Sequence, residues 1–273
     1  MNNFNLMKYL YSFGLLFFWY ISFSQSSFKP LQTHDHLSQK QWVDSLYDAM
    51  SLNEKIGQLF MVDVFSENPR ADITKLITKY HIGGVIFSKG GPTKQAQLTN
   101  QYQALSKTPL MIAMDAEWGL AMRLDSTYAF PWHMTLGAIE DIKTVKDVAL
   151  QIAKHNKRLG VHINFAPIVD INTNPKNPII GNRSFGQNKR KVTAKAKSFV
   201  EAFNEVGILS CAKHFPGHGD TDTDSHKTLP SIQFSKERLE NVELYPFEQL
   251  TKTQLSSIMV AHLNVPALES QNN

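Results

Sequence analysis

A single cysteine, Cys211, stands in the whole chain, so no internal disulfide can form and the fold cannot rest on a covalent framework. Set in the apolar run ILSCAKHF, it reads as a buried small hydrophobe in preference to a nucleophile. Charge of one sign is scarce too. The net charge is +4 over 273 residues, and KRK at 189–191 is the one tight basic cluster. That excludes the basic stripe of a nucleic-acid-binding protein, and KRK reads instead as the solvated start of a helix. Low-complexity segments and short-period repeats are absent. With 42% hydrophobic and 19% charged residues, the composition excludes a disordered chain.

What is present begins with one long hydrophobic run. MNNFNLMK carries a lysine, and YLYSFGLLFFWYISFSQSS then runs from Tyr9 to Ser27 without charge. A positive head, an apolar core and small residues at Ser22 and Ser24 describe a secretory signal peptide cleaved near Gln25. The run is also just long enough to span a bilayer if it stays uncleaved. The absence of a nearby cysteine excludes a lipoprotein anchor. The expected organisation is a signal peptide over 1–24, a polar linker over 25–40 and one domain over 41–273, exported to the periplasm or beyond. Any membrane contact would run through the N-terminal segment alone.

Past the linker, two textures alternate. Short apolar, β-branched runs occur at 56–65, 82–88, 110–117, 161–171, 208–215 and 256–265. Segments of helical texture occur at 69–80, 93–106, 141–159, 189–206 and 235–250. Continuous apolar strands separated by helices predict parallel β/α units, because parallel strands are covered on both faces. Polar residues collect where the strands end: Asp115 and Glu117, Asp170 and Asn172, Lys213 and His214, and His262 in the sixth run. Functional groups contributed by several separate strand ends point to a (β/α)₈ TIM-type barrel. A doubly wound sheet would gather them at one switch point. Six β/α units are visible; each further unit would take roughly 30 residues, so the chain is expected to be cut short of eight.

The densest chemistry lies in KHFPGHGDTDTDSH, residues 213–226. Glycines at 217 and 219 forbid a helix there, which predicts a strand end followed by a loop. Asp224 and His226 are two apart, so both side chains can point the same way in extended chain. A carboxylate beside an imidazole fixes its tautomer and readies it to give or take a proton near neutral pH. Two other readings stay open on the residues alone: a solvated loop whose polar groups cap turns, and a metal site built on His214, His218 and His226. The spacing H-x₃-H-x₇-H matches no compact zinc pattern.

The run KHFPGHGDTDTDSHKTLP resembles the signature of glycoside hydrolase family 3, in its β-N-acetylglucosaminidase branch. INFAPIVDIN, NPIIGNRSFG (177–186) and MVAHLNVPALE (259–269) resemble further family segments in the same order. DAEWGLAMRL (115–124) fits the family's D-x-E-G-G-R-V-x-R at Asp115, Glu117, Gly119 and Arg123, but departs from it at Trp118, Leu120 and Ala121. The resemblance implies that His226 is the general acid/base, oriented by Asp224, where most glycosidases use a second carboxylate. It also implies that Asp115, Arg123, Arg183, Lys213 and His214 bind a terminal N-acetylglucosamine, with no cofactor or metal. It leaves hydrolysis and phosphorolysis both open, hydrolysis being the default. His218 and Asp220 are expected to serve the loop's own turns, Asp170 either backbone amides or substrate, and His262 the barrel interior. A retaining mechanism also needs a carboxylate nucleophile. The family's F-S-D-D-L-like segment that carries it has no match in these 273 residues. The expectations are therefore a fragment of a longer glycosidase or, failing catalysis, a sugar-binding module.

Overall fold

The computed structural model describes residues 31–222 and 229–269. Among them six strands form one sheet: β1 (Met61–Phe65), β2 (Gly84–Lys89), β3 (Met111–Met114), β4 (Ile163–Asn164), β5 (Leu209–Phe215) and β6 (Ser257–Val260). Every neighbouring pair is parallel, and the spatial order is the chain order, β1 to β6. Sequential order has no switch point, so the sheet is an arc of a (β/α)-barrel and not a doubly wound sheet. Six consecutive units of the TIM-type barrel are present, as the alternation of textures predicts.

Nine helices are described: α1 (His36–Ala49), α2 (Leu52–Gly57), α3 (Ile73–Thr78), α4 (Pro92–Leu105), α5 (His133–Ala138), α6 (Ile142–Arg158), α7 (Lys189–Val206), α8 (Lys236–Asn241) and α9 (Tyr245–Thr251). Strand side chains alternate between the helical layer and the barrel interior. Val64, Val85, Phe87, Ile112 and Met114 pack outward against Ile73 and Ile77 of α3 and Leu98 and Tyr102 of α4. Ala212 of β5 joins Val145, Ala149 and Ile152 of α6, Phe199, Val200 and Phe203 of α7, and Phe247 and Leu250 of α9. Side chains between these outward ones, such as Lys213, are left for the interior. The KRK run does start a helix: Asn188 caps α7 by accepting the Arg190 and Lys191 amides, and Gly207 at φ +86° closes it.

Several boundaries differ from the sequence reading. The run 56–65 splits because Ser51 and Glu54 form a reciprocal capping box that starts α2, which leaves the strand from Met61 onward. The run 161–171 gives only a two-residue ladder, because past Phe165 the backbone turns back on itself, the Ala166 amide donating to the Asn164 carbonyl at 2.8 Å. The helical segment 235–250 is two helices, with Pro246 in the first turn of the second. Cys211 is buried and free, and burial raises its thiol pKa.

Candidate functional site

Asp115 follows the last residue of β3, and Glu117 lies two further along on the same side. The peptide between them is clamped by Asn164 of β4. Its Oδ1 accepts the Ala116 amide at 3.0 Å, and its Nδ2 donates to the Ala116 carbonyl at 3.1 Å. Across the interior, Lys213 of β5 brings its ammonium 2.7 Å from Asp115 Oδ1 and 2.8 Å from Glu117 Oε1. Arg123, at the end of a 3₁₀ turn over 120–122, donates to Asp115 Oδ2 at 2.7 Å. Arg183, in a second 3₁₀ turn over 181–183, grips Glu117 with two bonds, Nε to Oε2 at 3.0 Å and Nη2 to Oε1 at 2.7 Å. Four of the residues singled out by resemblance therefore meet in one network, and Glu117 joins it as the fifth.

Burial pushes the Glu117 carboxyl up, but the Lys213 ammonium and the Arg183 guanidinium outweigh it and hold the group far below the usual carboxylate range. Asp115 is lowered for the same reason, against its own burial, by Lys213 and then Arg123. Burial lowers Lys213, but Glu117 and Asp115 more than restore it, so its pKa lies above the ordinary lysine value. All three groups are charged at neutral pH. Charged donors and acceptors fixed at strand ends suit the recognition of hydroxyl and carbonyl groups.

His214 sits beside this network on a separate support. Asp170, fully buried, accepts His214 Nδ1–H at 2.7 Å, the His214 amide at 3.2 Å and the His218 amide at 2.6 Å. Of the two expectations for Asp170, the structure displays the holding of backbone amides. Burial raises its carboxyl, and the contacts with His214 and with the two amides lower it below the ordinary value. With Nδ1–H committed to Asp170, Nε2 of His214 is the free ring nitrogen, an acceptor in the neutral form. The loop that follows is packed backbone on backbone: a Cβ on Gly219 would lie 1.9 Å from the Ile171 carbonyl oxygen. His218 turns its Nδ1 to Thr221 Oγ1 at 2.6 Å, and Asp220 lies 3.8 Å from Arg238. Asp224 and His226, the expected acid–base pair, lie outside the described residues, as does one member of the three-histidine metal reading. Among the described residues no group of three or more metal-ligating side chains converges. His262, expected inside the barrel, is exposed. It follows β6, which has a neighbour on one side only.

Two participants carry no role in the sequence reading. Glu117 appears there as a strand-end polar residue and a motif match without an assigned role; its two-residue spacing from Asp115 is the signal that places it on the same side. His133, at the start of α5, is buried, donates through Nε2 to the Glu117 carbonyl at 3.2 Å and stacks on Phe185 at 4.2 Å between ring centroids. Burial brings its imidazole down to about 4, against the pull of Glu117. Nothing in its sequence neighbourhood signals this.

A parallel β/α arc that gathers an ionic cluster at its strand ends defines the chain as a barrel-type α/β protein. Comparison with known proteins narrows the class. The Glycosyl hydrolase family 3 N terminal domain matches residues 51–272, and the chain belongs to glycoside hydrolase family 3. It is similar to Beta-hexosaminidase A of Pseudoalteromonas piscicida, 37% identical over 256 residues, 88% of this chain and 42% of that protein. It is also similar to Beta-hexosaminidase LpqI of Mycobacterium tuberculosis, 32% identical over 231 residues, 80% of this chain and 56% of that protein. A solved glycoside hydrolase family 3 β-N-acetylglucosaminidase from Paenibacillus superposes with a TM-score of 0.77 at 36% identity, over 82% of this chain and 44% of that one. The chain thus spans about half the length of these relatives.

Proposed function

We propose that this chain binds a terminal, β-linked N-acetylglucosamine at the ends of β3 and β5 and supplies the acid–base half of a retaining β-N-acetylglucosaminidase. The observation that carries the reading is the single ionic network of Asp115, Glu117, Lys213, Arg123 and Arg183, with its two arginines at the rim: their side chains are 30% and 19% exposed. The names of the relatives support it. Asp115, Arg123, Arg183, Lys213 and His214 hold the sugar's hydroxyl and acetamido groups. Asp224 orients His226, which protonates the glycosidic oxygen as the bond to the anomeric carbon breaks and later deprotonates the incoming water. The carboxylate that traps the oxocarbenium-like centre has no matching segment in this sequence, so sugar recognition is the property of this chain most directly supported. The substrate class is N-acetylglucosamine-containing glycans such as peptidoglycan fragments. The uncharged N-terminal run supports export.

The test is release of 4-nitrophenol from 4-nitrophenyl N-acetyl-β-glucosaminide by this chain and by the same gene region read through to the next stop codon. Release that falls by about 10² or more in His226→Ala supports the acid–base assignment. Release unchanged by His226→Ala contradicts it. No release from either product favours the sugar-binding module.

A further inference from the structure

Within the ionic network Glu117 is the group that a bound ligand has no way to touch. It is fully buried, and both its oxygens are committed. Oε2 accepts from Arg183 Nε and Oε1 from Arg183 Nη2, and the Lys213 ammonium stands 2.8 Å from Oε1 as an ion pair. What it does to those two cations follows from counting their donors. A guanidinium offers five N–H groups and an ammonium three. Arg183 gives Nε–H and one Nη2–H to Glu117, and one Nη1–H to the Ile179 carbonyl at 3.1 Å. Two N–H groups are left over, one on each Nη, neither of them used by Glu117. Lys213 donates to Asp115 at 2.7 Å and is held beside Glu117 by charge at 2.8 Å.

We infer that Glu117 is the positioning residue of the sugar site: it fixes which edge of Arg183 faces the ligand and where the Lys213 ammonium stands, without contacting the ligand itself. This rests on the sugar-binding reading above and deepens it. A rim arginine without this partner would sample several rotamers, and a planar fork recognises its target only when its plane is held. One carboxylate shared between the arginine and the lysine also sets the spacing of the two donors, so they act as one rigid pair.

The carboxylate cannot be replaced by its isostere. In Glu117→Gln one amide oxygen must serve two Arg183 N–H groups with no charge to offset the Lys213 ammonium, and the amide nitrogen faces a cation wherever it turns. Glu117→Asp keeps the charge but withdraws it by about one C–C bond, ~1.5 Å, so it can hold one cation well and not both. The test is calorimetric titration of the full chain with N-acetylglucosamine. Glu117→Gln is expected to weaken binding by about tenfold or more, and Glu117→Asp to recover part of that loss. A second readout needs no variant. The Arg183 Nε–Hε resonance in the ¹⁵N spectrum of the unaltered chain should be protected from solvent exchange and should hold its position when the sugar is added.

Glu117→Gln binding as tightly as the unaltered chain would overturn the inference while leaving the sugar site standing. An Nε–Hε signal that exchanges like that of a solvated arginine would do the same, even if the glutamine variant does not fold. No sugar binding by the unaltered chain would overturn the site reading and this inference with it.

Discussion

The middle of the sheet and its two flanks contrast sharply. In the middle, α6 buries Val145, Ala149, Ile152, Ala153 and Asn156 against α7 and the strands, and β5 buries four consecutive residues. On one flank α1 buries none of its residues and exposes Leu37, Trp42, Val43 and Tyr47. On the other, β6 leaves Val260 70% exposed. The two regions have similar apolar content. What differs is whether a strand has neighbours on both sides and a helix over it, and only there does the core close. The ionic site uses that closure. Lys213 and Glu117 are bearable as buried charges because each is paired within a packed shell; on β6 or α1 the same residues would be solvated and worth little.

The contrast can be broken or sharpened by substitution. The largest expected effect is that of Lys213→Ala, which leaves the buried Glu117 and the half-buried Asp115 carboxylates without their shared cation. A loss of about 3–5 kcal/mol in urea unfolding is expected, and a loss under 1 kcal/mol would show that the cluster is solvated. Phe199→Ala in α7 should cost a similar amount, about 3–5 kcal/mol, through the cavity it leaves.

Next comes a pH effect. His133 is neutral when folded down to about 4, whereas the unfolded imidazole takes up its proton near 6.5. The stability this contributes is full above 6.5 and drains away as pH falls from 6.5 to about 4, by about 3 kcal/mol in all. The Glu117 and Asp115 carboxyls have the same sign, since their folded pKa values are depressed. Their contribution, however, is present above the ordinary values of 4.5 and 3.8 and is lost only below them. The slope between pH 6.5 and 4.5 therefore belongs to histidine, with His162 and His218 lowered in the same direction by burial, and His133→Gln should make it shallower in denaturant titrations run across that range. A smaller effect, on the order of 1–3 kcal/mol, is expected for Asp170→Asn, which weakens the hold on two amides and the His214 ring. Smallest are Trp42→Ser on α1 and Val260→Thr on β6, expected to change stability by less than ~0.5 kcal/mol. A cost above 2 kcal/mol for either would mean that the flanks are covered in solution.

The strand order was readable because each strand is a continuous apolar run ended by a polar residue; Asp115 and Lys213 stand out by interrupting such runs. Helix α1 was not, because its apolar residues lie in a polar segment and bury nothing, so no core-facing stripe marks it. The brevity of β4 reflects a local turn in which the Ala166 amide bonds the Asn164 carbonyl. Glu117 could be placed beside Asp115 from spacing, but its role depends on Arg183, 66 residues away, and on Lys213 in another strand. No local pattern encodes those meetings. His133 is the extreme case, a histidine whose burial and stacking come entirely from tertiary packing.

The account stands on one claim, that the network at the ends of β3 and β5 binds a sugar. The direct measurement is calorimetric titration of N-acetylglucosamine, with glucose as comparison, into the chain and into Arg123→Ala, a rim substitution that leaves the core untouched. The account predicts saturable one-to-one binding that favours N-acetylglucosamine and is weakened about tenfold or more by Arg123→Ala. Absence of binding, or binding indifferent to Arg123, would contradict it.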